Sequence, residues 1–392
     1  MSTTADSAID QVTGQLSDSA SPCELLDALE AALRESKDYH RLFDAKLMRT
    51  RHELGLPVTQ PTSMDNIPED HHFTFRAAYV DAAREIGHLL LEDGRLADAW
   101  AYLRTIGEPD AVRAEIDKVS VPQEPDEKFD EIVNLALYEG AHVVRGLEFL
   151  LRTHGTCNTV TAFSQLQQQM SPDERRQAAV VMVRQIYDEL QQSVRRDLES
   201  RNPVVPAKAS LAELLAENEN LLADGNYHID VSHLHSVVGF SRSLTAEDPE
   251  LQQVIELCEY GSRLAEPLRY PGNVPFEQYY EAHLRFLNAL AGRDVAGELD
   301  WFTARMEDES DDSSRQLIAF VVLDLGQRTG QEDEALRRVA AHLGQLEDPG
   351  GFSFSKMCVE QNRLDILEES AMSNDDPIAW VTARLSATKD GS

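Results

Sequence analysis

The stretch IPEDHHFTFRAAYVDAAREIGHLLLEDG, residues 67–94, decides the fold class because its apolar residues recur with the period of a helix. The apolar stripe consists of Phe75, Tyr79, Ala82, Ile86 and Leu89. Pro68 and the two carboxylates after it suit a first helical turn, and Gly94 suits the end of the helix. The same period continues from Cys23 onward, without alternating runs bounded by hairpin turns. The sequence therefore predicts an all-α protein of about fifteen to eighteen helices.

Composition limits the class of partner that the chain can bind. Its 392 residues are 42% hydrophobic and 27% charged, which is enough apolar material for a large buried core. Acidic residues outnumber basic residues by 69 to 36, so the formal net charge is −33. Because such a surface repels phosphates and anionic lipid, we expect no nucleic-acid partner and no membrane partner. The acidity has two open interpretations, which are a saline habitat and a preference for basic partners.

The cysteines and the N-terminus bear on cellular location. The four cysteines are Cys23, Cys157, Cys258 and Cys358. They are widely spaced and form no CxxC pair, which is typical of free thiols in a reducing compartment. The acidic, Ser/Thr-rich start lacks the basic end and apolar core of a signal peptide, and we expect residues 1–20 to be disordered. No apolar run approaches the roughly eighteen residues of a membrane span, so the sequence predicts a cytoplasmic protein.

Two proline-containing stretches interrupt the helical pattern and predict domain boundaries. They are KVSVPQEPDEK, residues 118–128, and SRNPVVPAKAS, residues 200–210, which put the boundaries near Val121 and Val204. We therefore expect three helical parts. They are an N-terminal domain at 21–120, a middle segment at 126–202 and a C-terminal helical-repeat segment at 208–390.

The segment IGHLLLEDGRLADAWAYLRTIGEP, residues 86–109, resembles one tetratricopeptide-type hairpin. Gly87 lies in its first helix, Gly94 is at the turn, and Ala99 is the small residue where the helices cross. Small residues mark such a contact because two helices approach closely only where side chains are short. Weaker copies have turns at Gly225, Gly292 and Gly330. The resemblance implies an irregular α-solenoid of tetratricopeptide-like hairpins, whose surface binds a peptide or protein.

Three histidines and one aspartate fall within eight residues of GNYHIDVSHLHSVVGF, residues 225–240. They are His228, Asp230, His233 and His235. One interpretation is a metal site, and the other is a helix capped by Asp230 whose histidines flank an apolar stripe. His233 and His235 are about 200° apart around a helix, so only one of them could join His228 and Asp230 at an ion. We take His228, Asp230 and His235 as the candidate ligands, and a complete site would need another ligand from elsewhere.

A basic helix stands out in this acidic chain at HRLFDAKLMRTRHELGLP, residues 40–57. Arg49 and Arg51 are candidate contacts for a protein partner. The alternative is that the cations of this helix pair with carboxylates of the neighbouring repeat.

An aromatic, proline-rich connection follows at EPLRYPGNVPFEQYYEAHLRF, residues 266–286. Tyr279, Tyr280 and Phe286 are candidate partner contacts, because exposed aromatic side chains are favoured binding anchors. The alternative is that these rings form the core between adjacent hairpins. A third interpretation is a structural role, in which residues 270–286 form a self-interface in a homo-oligomer.

The motifs of common enzymes are not found in the sequence. It has no GxSxG, no P-loop and no GxGxxG, so hydrolase, nucleotide and dinucleotide chemistry lack their usual support. We expect a non-catalytic interaction or scaffold protein without a cofactor, which binds a protein or peptide, including a basic one. The alternative function is a metal-dependent enzyme or metal sensor that uses the histidine cluster.

Overall fold

The computed structural model describes residues 20–65, 67–201, 209–344 and 352–387. Within these ranges the regular structure is helical and contains no strand, which confirms the predicted all-α class. Eighteen α-helices lie in the described ranges, joined by short turns and 3₁₀ segments. None of these helices is both long enough and apolar enough to cross a membrane.

The chain divides into two compact units, Met1–Thr153 and His154–Ser392. The predicted boundary near Val121 falls in the non-helical connection between two helices of the first unit, and it stays a prediction. The predicted boundary near Val204 lies outside the described residues. So does nearly all of the N-terminal segment for which we predict disorder.

The first unit consists of consecutive helices that pack on their chain neighbours. They are α1 (Pro22–Glu35), α2 (Tyr39–Glu53), α3 (Glu69–Glu92), α4 (Leu96–Thr105), α5 (Asp110–Asp117) and α6 (Glu127–Val133), followed by a π-helical segment, Asn134–Tyr138, and the start of α7 (Val143–Leu166). Local signals begin these helices: Ser21 and Glu24 form a capping box at α1, and Asp38 caps α2. The core of the unit includes Phe75, Ile86 and Leu103, each without exposed surface.

The second unit continues from the last turns of α7, after Gly155 interrupts that helix with a φ of 77°. Its helices are α8 (Pro172–Arg201), α9 (Leu211–Ala216), α10 (Val231–Phe240), α11 (Glu250–Ser262), α12 (Tyr279–Leu290), α13 (Val295–Asp308), α14 (Asp312–Arg328), α15 (Glu332–Leu343), α16 (Phe354–Glu360), α17 (Leu364–Ser373) and α18 (Pro377–Ala387). Helix α8 contacts α9, α10 and α11, whereas the later helices mostly contact their chain neighbours. A capping box formed by Ser171 and Glu174 begins α8.

A buried polar network ties three helices of the second unit together. The Tyr187 hydroxyl of α8 donates to Glu256 of α11 at 2.8 Å and accepts the backbone N–H of Leu211 at the start of α9. The N–H of Ala212 donates to the same Glu256 carboxylate at 3.1 Å. The first turn of α9 thus receives two acceptors that its own backbone lacks, which fixes α9 between α8 and α11.

The turn glycines predicted from the sequence have the left-handed backbone that such turns require. Gly94, Gly225, Gly292 and Gly330 have φ values of 73°, 78°, 74° and 71°. Close helix contacts also occur where small residues predict them. A Cβ added at Gly87 would lie 2.5 Å from the Leu103 side chain of the next helix, so α3 and α4 approach closely there.

Candidate functional site

A cavity of about 610 Å³ in the second unit is the candidate functional site. It lies beside the end of α11, the proline-rich connection and the first turns of α12. Its wall combines tyrosine rings with carboxylates. The lining residues that carry this chemistry are Glu266, Tyr270, Glu277, Tyr279, Tyr280 and Glu281. Two of the predicted partner contacts, Tyr279 and Tyr280, therefore meet at this cavity.

The Tyr280 ring is positioned by a glycine in the facing helix. A Cβ added at Gly261 would lie 2.3 Å from the Tyr280 ring, so the ring lies directly on the backbone of α11. The side chain of Tyr280 is 3% exposed, and its hydroxyl has no hydrogen-bond partner among the described residues. Tyr280 therefore packs as a core ring beneath the cavity, which follows the alternative interpretation, and its buried hydroxyl is unsatisfied.

Tyr279 is held by a histidine of α10. The rings of Tyr279 and His235 stack with centroids 3.7 Å apart and an interplanar angle of 15°. The Tyr279 hydroxyl donates to the backbone carbonyl of His235 at 2.5 Å. Burial raises the pKa of Tyr279 above its usual value, so the hydroxyl remains a protonated donor near neutral pH. The stack and the hydrogen bond together fix the ring against α10.

His283 lies one turn after Tyr279 in α12 and is 1% exposed. Its Nδ1–H donates to the Tyr279 carbonyl at 2.7 Å, whereas Nε2 has no partner among the described residues. Burial lowers the pKa of His283 to about 3. The imidazole is therefore neutral near pH 7 and forms part of the aromatic core behind the cavity, with its ring 4.3 Å from that of Phe276.

Carboxylates dominate the rim of the cavity. Glu266 is exposed and has no ion-pair partner in the described part of the chain. Glu277 accepts from Arg305 at 2.7 Å, and Glu281 pairs with Arg285 at 3.4 Å. Both arginines lie 4.9 Å from the centre of the Trp301 ring, which holds them. Arg269 adds one cation to the lining, so the cavity surface itself presents more carboxylates than guanidinium groups.

Phe286, the third predicted aromatic contact, does not reach this cavity. Its ring is 2% exposed, packs against Phe276 at 6.1 Å and lies 5.4 Å from the Arg328 guanidinium. In this conformation Phe286 has no surface to offer a partner. Its predicted role as a partner contact is corrected to core packing, because the apolar face of α12 turns it inward.

The two arginines predicted as partner contacts have partners within the first unit. Arg49 forms ion pairs with Glu30 at 2.6 Å and Asp27 at 2.7 Å, both in α1. Arg51 is 3% exposed, and its guanidinium donates to the carbonyls of Pro57, Pro61 and Ser63. Arg51 therefore stabilises the loop after α2 from a buried position. This corrects its predicted role as a partner contact. Arg49 pairs with carboxylates of the neighbouring helix, which is the alternative to a partner contact that the sequence left open.

The histidine cluster is dispersed among other contacts. His228 Nε2 lies 2.9 Å from Asp197 of α8, and its backbone N–H donates to the Tyr260 hydroxyl. Asp230 accepts the N–H of Ser232 at 2.8 Å, which confirms the predicted helix cap. His235, as described above, stacks on Tyr279.

No three of the predicted ligands His228, Asp230, His233 and His235 form a metal-holding group. Throughout the described ranges, no group of three or more His, Cys, Asp or Glu side chains is arranged to hold a metal ion. The geometry therefore provides no ligand set for the metal-site hypothesis.

Sequence reasoning missed the acidic rim and the partner of Tyr279. The aromatic stretch at residues 266–286 also contains Glu266, Tyr270 and Glu277. Their proximity in the chain could have indicated a site that combines aromatic rings with carboxylates. The stack between His235 and Tyr279 joins residues 44 positions apart, and no local pattern predicts it.

Comparison of the chain with family models, with curated proteins and with solved structures finds no match.

Proposed function

We propose that the protein is a non-catalytic interaction protein that binds a basic segment of a protein partner at the cavity beside α11 and α12. One observation carries the proposal: tyrosine rings and carboxylates converge on one cavity of about 610 Å³. Cavities that bind ligands commonly enclose about 300–1,000 Å³, so this one can take one or two side chains of a peptide.

The chemistry of the wall favours a cation. The face of a tyrosine ring attracts a guanidinium or ammonium group, and a nearby carboxylate adds charge-assisted hydrogen bonds. Tyr270 is 45% exposed and lines the same cavity as Glu266, whose carboxylate has no ion-pair partner among the described residues. We therefore expect an arginine or lysine side chain of the partner to lie over Tyr270, with Glu266 as its counter-ion.

The proposal includes an irregular α-solenoid of tetratricopeptide-like hairpins as the scaffold. It is supported by helices that pack mainly on their chain neighbours in the later part of the second unit. It is also supported by the contact between α14 and α15, where a Cβ at Gly326 would lie 2.2 Å from the Cβ of Ala335. Such an array leaves the connections between helices at the surface, which is where the cavity lies.

Selection from a random peptide library, followed by fluorescence polarisation on the selected peptides, tests the proposal. We expect peptides rich in arginine or lysine to be selected, and Tyr270→Ala to weaken their binding by about tenfold. Glu266→Gln should weaken binding by roughly twofold to fivefold, because one partly screened ion pair is lost. Matched controls are Tyr227→Ala, at another tyrosine that is 53% exposed, and Glu247→Gln, at another exposed carboxylate.

Two outcomes would overturn the proposal. One is selection of acidic or purely apolar peptides. The other is a double variant, Tyr270→Ala with Glu266→Gln, that binds the basic peptides as tightly as the unmodified protein does.

A further inference from the structure

A second cavity in the second unit has the opposite chemistry. It encloses about 380 Å³ where the start of α8, the end of α10 and the last turns of α14 meet. The lining residues with charged or hydroxyl-bearing side chains are Arg175, Arg242, Ser243, Thr245, Asp324 and Arg328. Three guanidinium groups thus face one space together with a single carboxylate from the described residues, although the chain as a whole has a net charge of −33.

Arg328 builds the wall of this cavity. Its guanidinium donates to the carbonyl of Arg242 at 2.8 Å and to that of Leu244, and it pairs with Asp324 at 3.2 Å. These bonds tie α14 to the turn after α10. Arg328 is therefore structural, and Asp324 offsets its charge.

Arg175 and Arg242 have no ion pair with a carboxylate in the described part of the chain. Arg175 donates to the Gln167 carbonyl at 3.4 Å, and Nε of Arg242 donates to the Gly239 carbonyl at 3.4 Å. The Arg242 guanidinium also lies 4.8 Å from the centre of the Phe276 ring. The hydrogen bonds use one nitrogen of each guanidinium group, which leaves further N–H donors available to the cavity.

The arginine next to Arg175 behaves differently. Arg176 in the same turn of α8 pairs with Asp248 at 2.6 Å and with Asp173 at 3.1 Å. Carboxylates are abundant in this chain, so a shortage of acceptors does not explain the two unpaired guanidinium groups. Desolvation lowers the pKa of Arg242, although part of its side chain is exposed to solvent. An anion in the cavity would be a charged partner for both guanidinium groups.

We propose that this cavity binds the phosphate group of a small ligand through Arg175 and Arg242. The guanidinium fork matches the spacing of phosphate oxygens and can donate two parallel hydrogen bonds. The Ser243 hydroxyl lines the same space as a further donor. The volume suits a phosphate with several additional atoms. The two cavities share no lining residue, and the proposed phosphate site does not rest on the function proposed for the acidic cavity.

Isothermal titration calorimetry at constant ionic strength tests the proposal on the full chain. The probes are inorganic phosphate and O-phosphoserine, with sodium chloride as the reference anion. We expect saturable binding of a phosphate probe, and binding about tenfold weaker in Arg175→Gln and in Arg242→Gln. The tighter of the two probes shows whether the ligand is free phosphate or a phosphate ester.

Controls separate binding from folding. Arg196→Gln removes an exposed arginine of the same helix whose guanidinium donates to the carbonyl of Gln192, so it should leave phosphate binding unchanged. Arg242→Lys keeps the charge but loses the fork, and we expect intermediate affinity. Circular dichroism melting without phosphate verifies that each variant is folded.

Three outcomes would overturn the proposal. The first is the absence of saturable phosphate binding at millimolar concentrations. The second is equal binding of chloride, which would identify an adventitious ion only. The third is a pair of folded glutamine variants that bind phosphate as the unmodified protein does, or an Arg196→Gln variant that loses binding to the same extent.

Discussion

Arg49 and Arg51 lie two positions apart in α2, yet their guanidinium groups are used in different ways. Arg49 is partly exposed and pairs with carboxylates, whereas Arg51 is buried and donates to three carbonyls of one loop. A residue two positions further along a helix points to the opposite side, so one side chain faces α1 and the other faces the loop. Residue type alone predicted the same role for both, and the direction of each side chain decided between them.

The position of His283 within the fold likewise decides how its side chain behaves, in this case how it titrates. Burial lowers its pKa to about 3 from a usual value of 6.5, so the folded protein keeps the imidazole neutral. Below pH 6.5 the unfolded chain binds a proton that the folded chain does not bind. The sign follows from linkage: this contribution to stability is complete above pH 6.5 and is lost as the pH falls toward about 3.

We expect His283→Phe to reduce the acid sensitivity of the fold. In the unmodified protein, His283 should lower the free energy of unfolding by about 1.4 kcal/mol for each pH unit below its unfolded pKa. Phenylalanine cannot titrate, so the variant should lack this component. Urea unfolding measured across the acidic range gives both curves.

The exposed residue His52 supplies a control for the substitution itself, since His52→Phe makes the same exchange at the surface and keeps the buried imidazole of His283. Other groups titrate in the same pH range. The difference between the curve of the unmodified protein and that of His283→Phe therefore isolates the contribution of His283. Parallel curves for the unmodified protein and His283→Phe would contradict the prediction.

At the scale of helices, glycines set how closely neighbours pack. Gly261 admits the Tyr280 ring onto α11, Gly326 admits Ala335 onto α14, and Gly87 admits Leu103 onto α3. Glycine within a helix is costly relative to alanine, by about 1 kcal/mol, so these positions give up local stability for a close contact. The contact between α11 and α12 has a further consequence, because it forms the floor of the acidic cavity.

We expect Gly261→Ala to destabilise the protein although alanine is the better helix former. Its Cβ would lie 2.3 Å from the Tyr280 ring, and relieving that overlap should cost about 1–3 kcal/mol, more than the gain in helix propensity. Chemical denaturation gives the change in the free energy of unfolding. Basic peptides should also bind less tightly, because the ring is displaced from its place.

A double-mutant cycle shows whether the overlap is the cause. Combined with Tyr280→Leu, the Gly261→Ala change should cost clearly less than it does alone. The control is Ser262→Ala at the next, exposed position, where we expect little effect. Stabilisation by Gly261→Ala would show that α11 and α12 are not in close contact.

At the scale of the whole molecule, the net charge of −33 dominates the electrostatics. Many arginines are neutralised by local pairs, such as Arg337 with Asp365 and Arg363 with Asp365. Among the described residues, ion pairs of this kind occupy most of the cations, and acidic residues outnumber basic ones by 69 to 36 in the whole sequence, so much of the negative charge remains uncompensated. Repulsion among those carboxylates opposes the compact state, and dissolved ions screen it.

We therefore expect the melting temperature to rise with added sodium chloride between low and physiological ionic strength. Salt also weakens exposed ion pairs, but each such pair contributes only about 0–1 kcal/mol, so screening of repulsion should prevail. Differential scanning calorimetry across a salt series measures the effect. A melting temperature that is constant or falls with salt would show that the favourable ion pairs outweigh the repulsion.

Predictions from the sequence succeeded where the interaction is local. Asp230 caps a helix whose first N–H groups lie two and three residues away, and Gly330 makes a turn between adjacent helices. Phe286 and Arg51 were wrongly predicted to lie on a partner surface. Whether a side chain is exposed depends on helices and loops that are distant in the sequence, and local patterns do not contain this information. Among the residues that line the acidic cavity, Tyr279 and Tyr280 were candidates from the sequence, whereas Tyr270, the glutamates and the contact with Gly261 were not.

The sequence by itself determined that this protein is helical, where several of its helices begin and turn, and that it is strongly acidic. Helical periodicity, caps and glycine turns act within about four residues, so a linear pattern contains them. Only the tertiary structure decided that Tyr280 lies on Gly261, that His235 stacks on Tyr279, and that Arg175 and Arg242 face one cavity. These contacts join residues tens of positions apart, and the packing of whole helices against one another sets their geometry.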